Sequence, residues 1–150
     1  MKVSLARDFK EFAALLNRHS VRFLVVGGYA VGFHGHPRYT KDFDLWVESD
    51  DENVDKLLHA LSDFGFGDVN LQSADFLEPG RVIQLGREPV RIDLLTSLKG
   101  IDEFSTAHMA RLNVDVDGVP IPVIGLDDLM TAKAAAGRPQ DLADIDSLGK

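Results

Sequence analysis

The chain has 150 residues, no cysteine and a formal net charge of -8. Its length suits a single domain, since domains run to about 100–200 residues, and it can bury roughly 68–70% of its unfolded surface without cross-links. The lack of cysteine excludes disulfides, zinc–thiolate sites and cysteine nucleophiles and favours a reducing, cytoplasmic compartment. The acidity argues against broad non-specific nucleic-acid binding, which neutralises phosphates with Lys and Arg. No apolar run reaches the ~20 residues of a membrane span, and the N-terminal MKVSLARDFKEF is charged too early for a secretory signal.

Asp8 reads as a helix N-cap with Glu11 as its box partner. Phe9, Phe12, Ala13 and Leu16 then follow at i, i+3, i+4, i+7, an amphipathic stripe that His19 and Ser20 end. Residues 22–26, RFLVV, predict a buried strand running into Gly27-Gly28. A short helix is expected over Tyr29 to Gly35, with Ala30, Val31 and Phe33 inward, and Pro37 breaks it. Lys41 to Val47 alternates as a strand: Phe43, Leu45 and Val47 face the core, and Asp42, Asp44 and Trp46 face the other way.

Asp50, Asp51 and Glu52 open the next helix, where negative charge suits the dipole. Its apolar stripe is Val54, Leu57, Leu58 and Leu61, and Gly65 and Gly67 end it. Residues 68–80 read as irregular. Arg81 to Leu85 and Pro89 to Leu95 are strands joined through Gly86-Arg87-Glu88 as a hairpin. In the second strand Val90, Ile92 and Leu94 share one face, and Arg91, Asp93 and Leu95 the other. Residues 100–111 are partly helical. Asp117-Gly118 is a hairpin turn between Leu112 to Val116 and Val119 to Ile124. Leu126, Leu129, Met130 and Lys133 share one helix face, and a last helix begins near Pro139 with Leu142, Ile145 and Leu148 inward. The expected fold is α+β: one mixed, not purely parallel, sheet with helices packed on it.

The stretch GGYAVGFHGHPRYTKDFDLW, residues 27–46, concentrates the chemistry. Asp42 and Asp44 lie two apart, so a strand points both to one face. They are either two solvated acids or, with Asp93 from a neighbouring strand, a carboxylate cluster. Like charges at ~4 Å repel by about 1 kcal/mol in water and several times more in a drier site. A divalent cation would relieve that repulsion, and all-oxygen ligands suit Mg²⁺ or Mn²⁺ rather than zinc. Gly27-Gly28 is either a plain strand-to-helix turn or a turn offering backbone N–H groups to a phosphate. It is neither a Walker loop nor a dinucleotide fingerprint. His36, Arg38 and Lys41 are either a solvated loop or a cationic rim for phosphates, and Arg suits that role by its bidentate fork. Lys133 either snorkels at the edge of its apolar face or reaches into the cleft. Asp141 and Asp144 stand near a helix start, where dipole charge accounts for them.

The segment from Val25 to Val47 resembles the nucleotidyltransferase superfamily with the DNA polymerase β-like fold. The matching features are Val26-Gly27-Gly28, a gap of thirteen residues, Asp42-Phe43-Asp44-Leu45, and the later Ile92-Asp93-Leu94. The loop from Gly35 to Asp42 and the tail Lys133, Arg138, Asp141, Asp144 look most like the AbiEii/AbiGii toxin-type branch. The resemblance implies Mg²⁺-dependent transfer of a nucleoside monophosphate from a nucleoside triphosphate to an acceptor hydroxyl, on an RNA end such as tRNA, a protein or a small molecule. Asp42 and Asp44 would hold the metals. Asp93 would bind a second metal or act as base. Gly27, Gly28, Arg38, Thr40 and Lys133 would hold the nucleotide, with Lys41, Arg138, Asp141 and Asp144 as weaker candidates. Apart from the resemblance, Trp46 and Tyr29 are the aromatic residues on which a base could stack, and the sequence does not choose between them. A cognate antitoxin is the partner implied by that branch. The short chain motivates a second reading, a non-catalytic nucleotide-sensing or partner-binding module on the same fold.

Overall fold

The computed structural model describes residues 5–66, 70–87 and 90–149. The helices are α1 (Arg7–Arg18), α2 (Gly27–Phe33), α3 (Asp51–Leu61), α4 (Ser73–Leu77), α5 (Phe104–Met109), α6 (Leu126–Ala136) and α7 (Pro139–Leu148). The strands are β1 (Phe23–Val26), β2 (Asp42–Val47), β3 (Val82–Arg87), β4 (Val90–Leu95), β5 (Leu112–Val116) and β6 (Val119–Val123). They form one sheet in the order β3-β4-β2-β1-β6-β5. β1 runs antiparallel to β2 and parallel to β6, and β2 runs parallel to β4. The hairpins β3–β4 and β5–β6 close the two edges. This is the expected mixed α/β architecture.

α1 buries the stripe Phe9, Phe12, Ala13 and Leu16 against the sheet. Phe9 stacks on Phe43 of β2 at 5.0 Å between ring centroids, and Tyr29 meets both rings edge-on. The expected cap at Asp8 is displaced: the N-cap is Ala6, Asp8 lies in the first turn, and Glu11 pairs with Arg7 instead. α2 begins at Gly27, two residues earlier than expected. α3 is capped by Asp50, whose side chain accepts from the Asn53 amide. A π-helical turn over Ser62–Phe66 extends it, with Gly65 in the left-handed region. Gly67 lies outside the described residues, as do Glu88 and Pro89 in the expected β3–β4 turn. Gly86 and Arg87, expected in that turn, belong to β3.

The sheet's other face departs further from expectation. Trp46 is buried, not solvent-facing, because Phe104 of α5 covers it at 5.0 Å. Within 68–80, read as irregular, Ser73–Leu77 is helical and Phe76 is buried. The Asp117-Gly118 turn has φ of 52° and 87°, the two positive values that a tight hairpin turn needs. Leu126 and Leu142, expected inward, are 39% and 55% exposed. The inward positions of α7 are taken by Asp141 and Asp144, which are 1% and 3% exposed.

Candidate active site

The acids come together through strand register. β2 is a central strand, and Asp44 is paired with Val26 of β1 on one side and with Asp93 of β4 on the other. The same ladder sets Asp42 beside Arg91. Alternation keeps Asp42, Asp44, Arg91 and Asp93 on one face while Phe43, Leu45, Ile92 and Leu94 fill the core behind them. One carboxylate oxygen from each of Asp42, Asp44 and Asp93 lies within 4.8 Å of the other two. Asp93 is buried and the other two are half-buried. An all-oxygen set this close fits a hard divalent cation.

Burial pushes the Asp44 carboxyl from its ordinary 3.8 up to about 6. The charges of Asp93 and Asp42 add to the rise, and Lys133 and Arg91 act against it. The cluster therefore holds more negative charge than its environment readily accommodates.

The glycine turn is fitted to this acid. Gly27 has φ of +69°, a conformation that L side chains rarely adopt, and a Cβ there would collide with Asp44 Oδ2. A Cβ on Gly28 would stand 2.7 Å from Thr40 Oγ1 and 3.1 Å from Arg38 Nη2. The two missing side chains thus let β2 and the preceding loop close over the turn. The Thr40 hydroxyl donates to the Arg38 carbonyl at 3.2 Å, within that loop.

Behind the turn lies a buried ion network. Lys133 is 7% exposed and donates to Asp141 at 3.2 Å, with Asp144 at 2.9 Å. Asp144 also accepts from Arg38 at 3.2 Å and from Gln140 at 2.9 Å. Asp141 accepts from the Arg138 side chain at 2.7 Å and from the Arg138 amide at 3.2 Å, closing the first turn of α7. Burial alone would push both carboxyls up. Hydrogen bonds from Arg138 and Lys133 hold Asp141 below its ordinary value, and those from Lys133 and Gln140 do the same for Asp144. Beyond the dipole charge read from their place at a helix start, these two acids therefore serve as partners of the buried Lys133. Lys133 neither snorkels nor stands alone in the cleft; it is locked between two carboxylates.

Val26, Gly27, Asp44, Leu95, Leu98, Leu129, Ala132, Lys133, Ala136, Arg138 and Asp141 line a cleft of about 100 Å³. Gly27, Asp44, Lys133, Arg138 and Asp141, drawn from four separate elements and the loop before α7, thus meet in one place. Arg38 and Thr40 cover Gly28 at its side. Arg38 also reaches a second cleft, of about 390 Å³, with His36, Gln140, Asp144 and Ser147. His36 therefore faces α7. Lys41 is exposed in the loop just before β2. Of the two aromatic candidates for stacking a base, Trp46 is sealed under Phe104, and Tyr29 packs between Phe9 and Phe43. Arg91 is the residue that the sequence reading passed over. Its Nε and Nη2 donate to the two oxygens of Asp93 at 3.2 and 3.3 Å, and its Nε lies 3.6 Å from Asp42. The signal was present, since Arg91 stands two residues before Asp93 on the same strand face.

Several solved structures share this fold. A Thermotoga maritima protein described as a nucleotidyltransferase aligns over 94% of this chain and 89% of its own, at 15% identity and a TM-score of 0.64. The lincosamide antibiotic adenylyltransferase LnuA, solved with lincomycin bound, aligns over 99% of both chains at 12% identity and a TM-score of 0.58. The antibiotic-resistance factor ANT(2'')-Ia aligns over 95% of this chain and 79% of its own at 15% identity, also with a TM-score of 0.58. Among curated proteins none matches the sequence. Residues 5–150 match the family described as "Nucleotidyl transferase of unknown function (DUF2204)", and the chain belongs to that family.

Proposed function

We propose that the protein transfers a nucleoside monophosphate from a nucleoside triphosphate to an acceptor hydroxyl, with Mg²⁺ or Mn²⁺ held by Asp42, Asp44 and Asp93. The observation that carries this reading is the convergence of those three carboxylates within 4.8 Å, beside a cleft lined by Gly27, Lys133 and Arg138. When bound, the cation supplies charge stabilisation for the attacking and leaving oxygens of an in-line displacement.

The chain's own residues then divide the remaining work. The cleft of about 100 Å³ suits the phosphate end of a nucleotide, since pockets for whole small molecules run to about 300–1,000 Å³. Arg138 lines it and Arg38 stands against the adjoining Gly28, both with donors suited to phosphate oxygens. Lys133 supplies a fixed positive charge whose position Asp141 and Asp144 set. Gly27 and Gly28 allow Asp44, Thr40 and Arg38 to approach the turn. The acceptor hydroxyl oxygen forms a bond to the α-phosphorus, the bond to the bridging oxygen breaks, and pyrophosphate leaves. Asp93 takes the hydroxyl proton.

One structural neighbour is named a lincosamide antibiotic adenylyltransferase and another an antibiotic-resistance factor, which supports ATP as the first donor to test and small hydroxylated molecules among the acceptors. The tail from Lys133 to Asp144 supports the toxin-type branch, so tRNA, protein acceptors and a cognate antitoxin belong in the same screen. The test is incubation with Mg²⁺ and ATP labelled at the α- or the γ-phosphate, with each acceptor class. Transfer of the α label alone, lost in Asp42→Ala and Asp44→Ala, is the expected result. Calorimetry showing that the wild-type protein binds neither Mg²⁺ nor any nucleoside triphosphate would overturn the proposal.

A further inference from the structure

Arg91 occupies the carboxylates that a divalent cation would need. Both oxygens of Asp93 accept from its guanidinium, at 3.2 and 3.3 Å, and Asp42 lies 3.6 Å from its Nε. We propose that Arg91 is an internal counter-ion. It holds the Asp42–Asp44–Asp93 cluster in the cation-free protein and competes with a divalent cation for it, so that Arg91 sets the concentration at which the site loads. This rests on reading the cluster as a cation site.

Three features make Arg91 a counter-ion that can yield. First, its contacts are longer than the ~2.7–2.9 Å of tight charge-assisted hydrogen bonds. The pairing offsets part of the cluster's charge without locking it. Second, its side chain is 32% exposed, whereas that of Lys133 is 8% exposed and clamped between Asp141 and Asp144. Lys133 is a permanent part of the wall. Arg91 has solvent on one side and three rotatable methylenes. Third, the residue across the ladder from Arg91 on β3 is Gly86, which is exposed and carries no side chain. A displaced guanidinium therefore meets no opposing side chain there.

Two effects follow, with one sign. To ligate Asp93 the cation shares or displaces an oxygen that Arg91 already engages, and it must approach against a positive charge. Removing Arg91 relieves both. Replacing it by lysine keeps the charge but loses the planar fork that engages two oxygens at once.

The experiment is a titration of the nucleotide-free protein with Mn²⁺ alone, following free Mn²⁺ by electron paramagnetic resonance, for wild type, Arg91→Gln, Arg91→Lys and Asp44→Ala. Arg91→Gln should bind Mn²⁺ ~2–5-fold more tightly than wild type, the scale of one partly exposed ion pair. Arg91→Lys should fall between the two. The melting temperature of Arg91→Gln should also rise more on saturation with Mn²⁺, because tighter binding to the folded state stabilises it further. Equal or weaker Mn²⁺ binding by folded Arg91→Gln overturns the counter-ion role. Should that variant fail to fold, Arg91→Lys binding no tighter than wild type does the same. Wild-type binding that Asp44→Ala abolishes and Arg91→Gln leaves unchanged overturns this inference alone. Absence of Mn²⁺ binding in wild type and both Arg91 variants overturns the cation-site reading with it.

Discussion

Replacing Asp44 by asparagine should stabilise the cation-free protein. Asp44 is half-buried on the central strand, and burial together with Asp93 and Asp42 raises its carboxyl from 3.8 to about 6. At pH 7.5 it is ionised against that gradient. A rise of this size corresponds to ~3 kcal/mol of unfavourable free energy, at about 1.36 kcal/mol per pH unit. Asparagine keeps the shape and removes the charge, but its amide still needs partners, so a gain of ~1–3 kcal/mol is expected. The sign can be checked through pH. A carboxyl raised in the folded state binds its proton more tightly there than in the unfolded chain. Stability is then greatest below the ordinary 3.8 and falls as pH climbs through about 6. The advantage of Asp44→Asn should be full at pH 7.5, shrink through the window between these values, and vanish below it. Urea denaturation of both proteins in EDTA, at a series of pH values across that window, measures this directly. Comparing variant with wild type cancels the other titrating groups. A variant less stable than wild type at pH 7.5, or a difference that does not change with pH, would refute the reasoning.

Further outcomes follow from the same geometry. Gly27→Ala should cost ~1–3 kcal/mol in urea denaturation, because it forces a side chain into a positive-φ position and against Asp44. Gly28→Ala has ordinary backbone angles but would push Thr40 and Arg38 off the turn, so its larger effect should be on ATP affinity by calorimetry. Asp144→Ala should destabilise by ~3–5 kcal/mol, since it removes a buried partner of both Lys133 and Arg38. Asp141 and Asp144 have lowered carboxyls, so their contribution is complete above the ordinary 3.8 and is lost as pH falls below it. The acid-unfolding limb of wild type should therefore be steeper than that of Asp144→Asn when followed by circular dichroism.

Much of the fold was legible because it rests on local periodicity. The stripe Phe9, Phe12, Ala13, Leu16 marks α1 without ambiguity, and the alternation of β2 and β4 assigns Phe43, Leu45, Ile92 and Leu94 to the core. The hairpin signal at Asp117-Gly118 is equally local. The failures share a cause in contacts between distant elements. Trp46 could be read as solvent-facing only because nothing in its own strand announces Phe104, which covers it from α5. Leu142 and Asp144 trade places for a similar reason. Hydrophobicity argues for an inward Leu142, but the buried side of α7 meets Lys133 of α6 and Arg38 of the loop, and those charges require carboxylates. The helix turns its acids inward and leaves the leucine out.

By itself the sequence determined which residue types were available for the chemistry, and at what spacing: two aspartates on one strand face, a third on another strand, and a glycine pair ahead of them. Residue type and the strand period are local properties, so no partner is needed to read them. Only the tertiary structure decided that these groups meet. Parallel pairing of β2 with β4 is a long-range register, and a slip of one residue would turn Asp93 to the opposite face. The same register inserted Arg91 among the acids, and the antiparallel pairing of β2 with β1 set Asp44 against Gly27. Whether a lysine or an aspartate is a solvated surface group or half of a buried pair depends on what stands across from it. For Lys133, Asp141 and Asp144 that answer lay in the packing of α6 on α7.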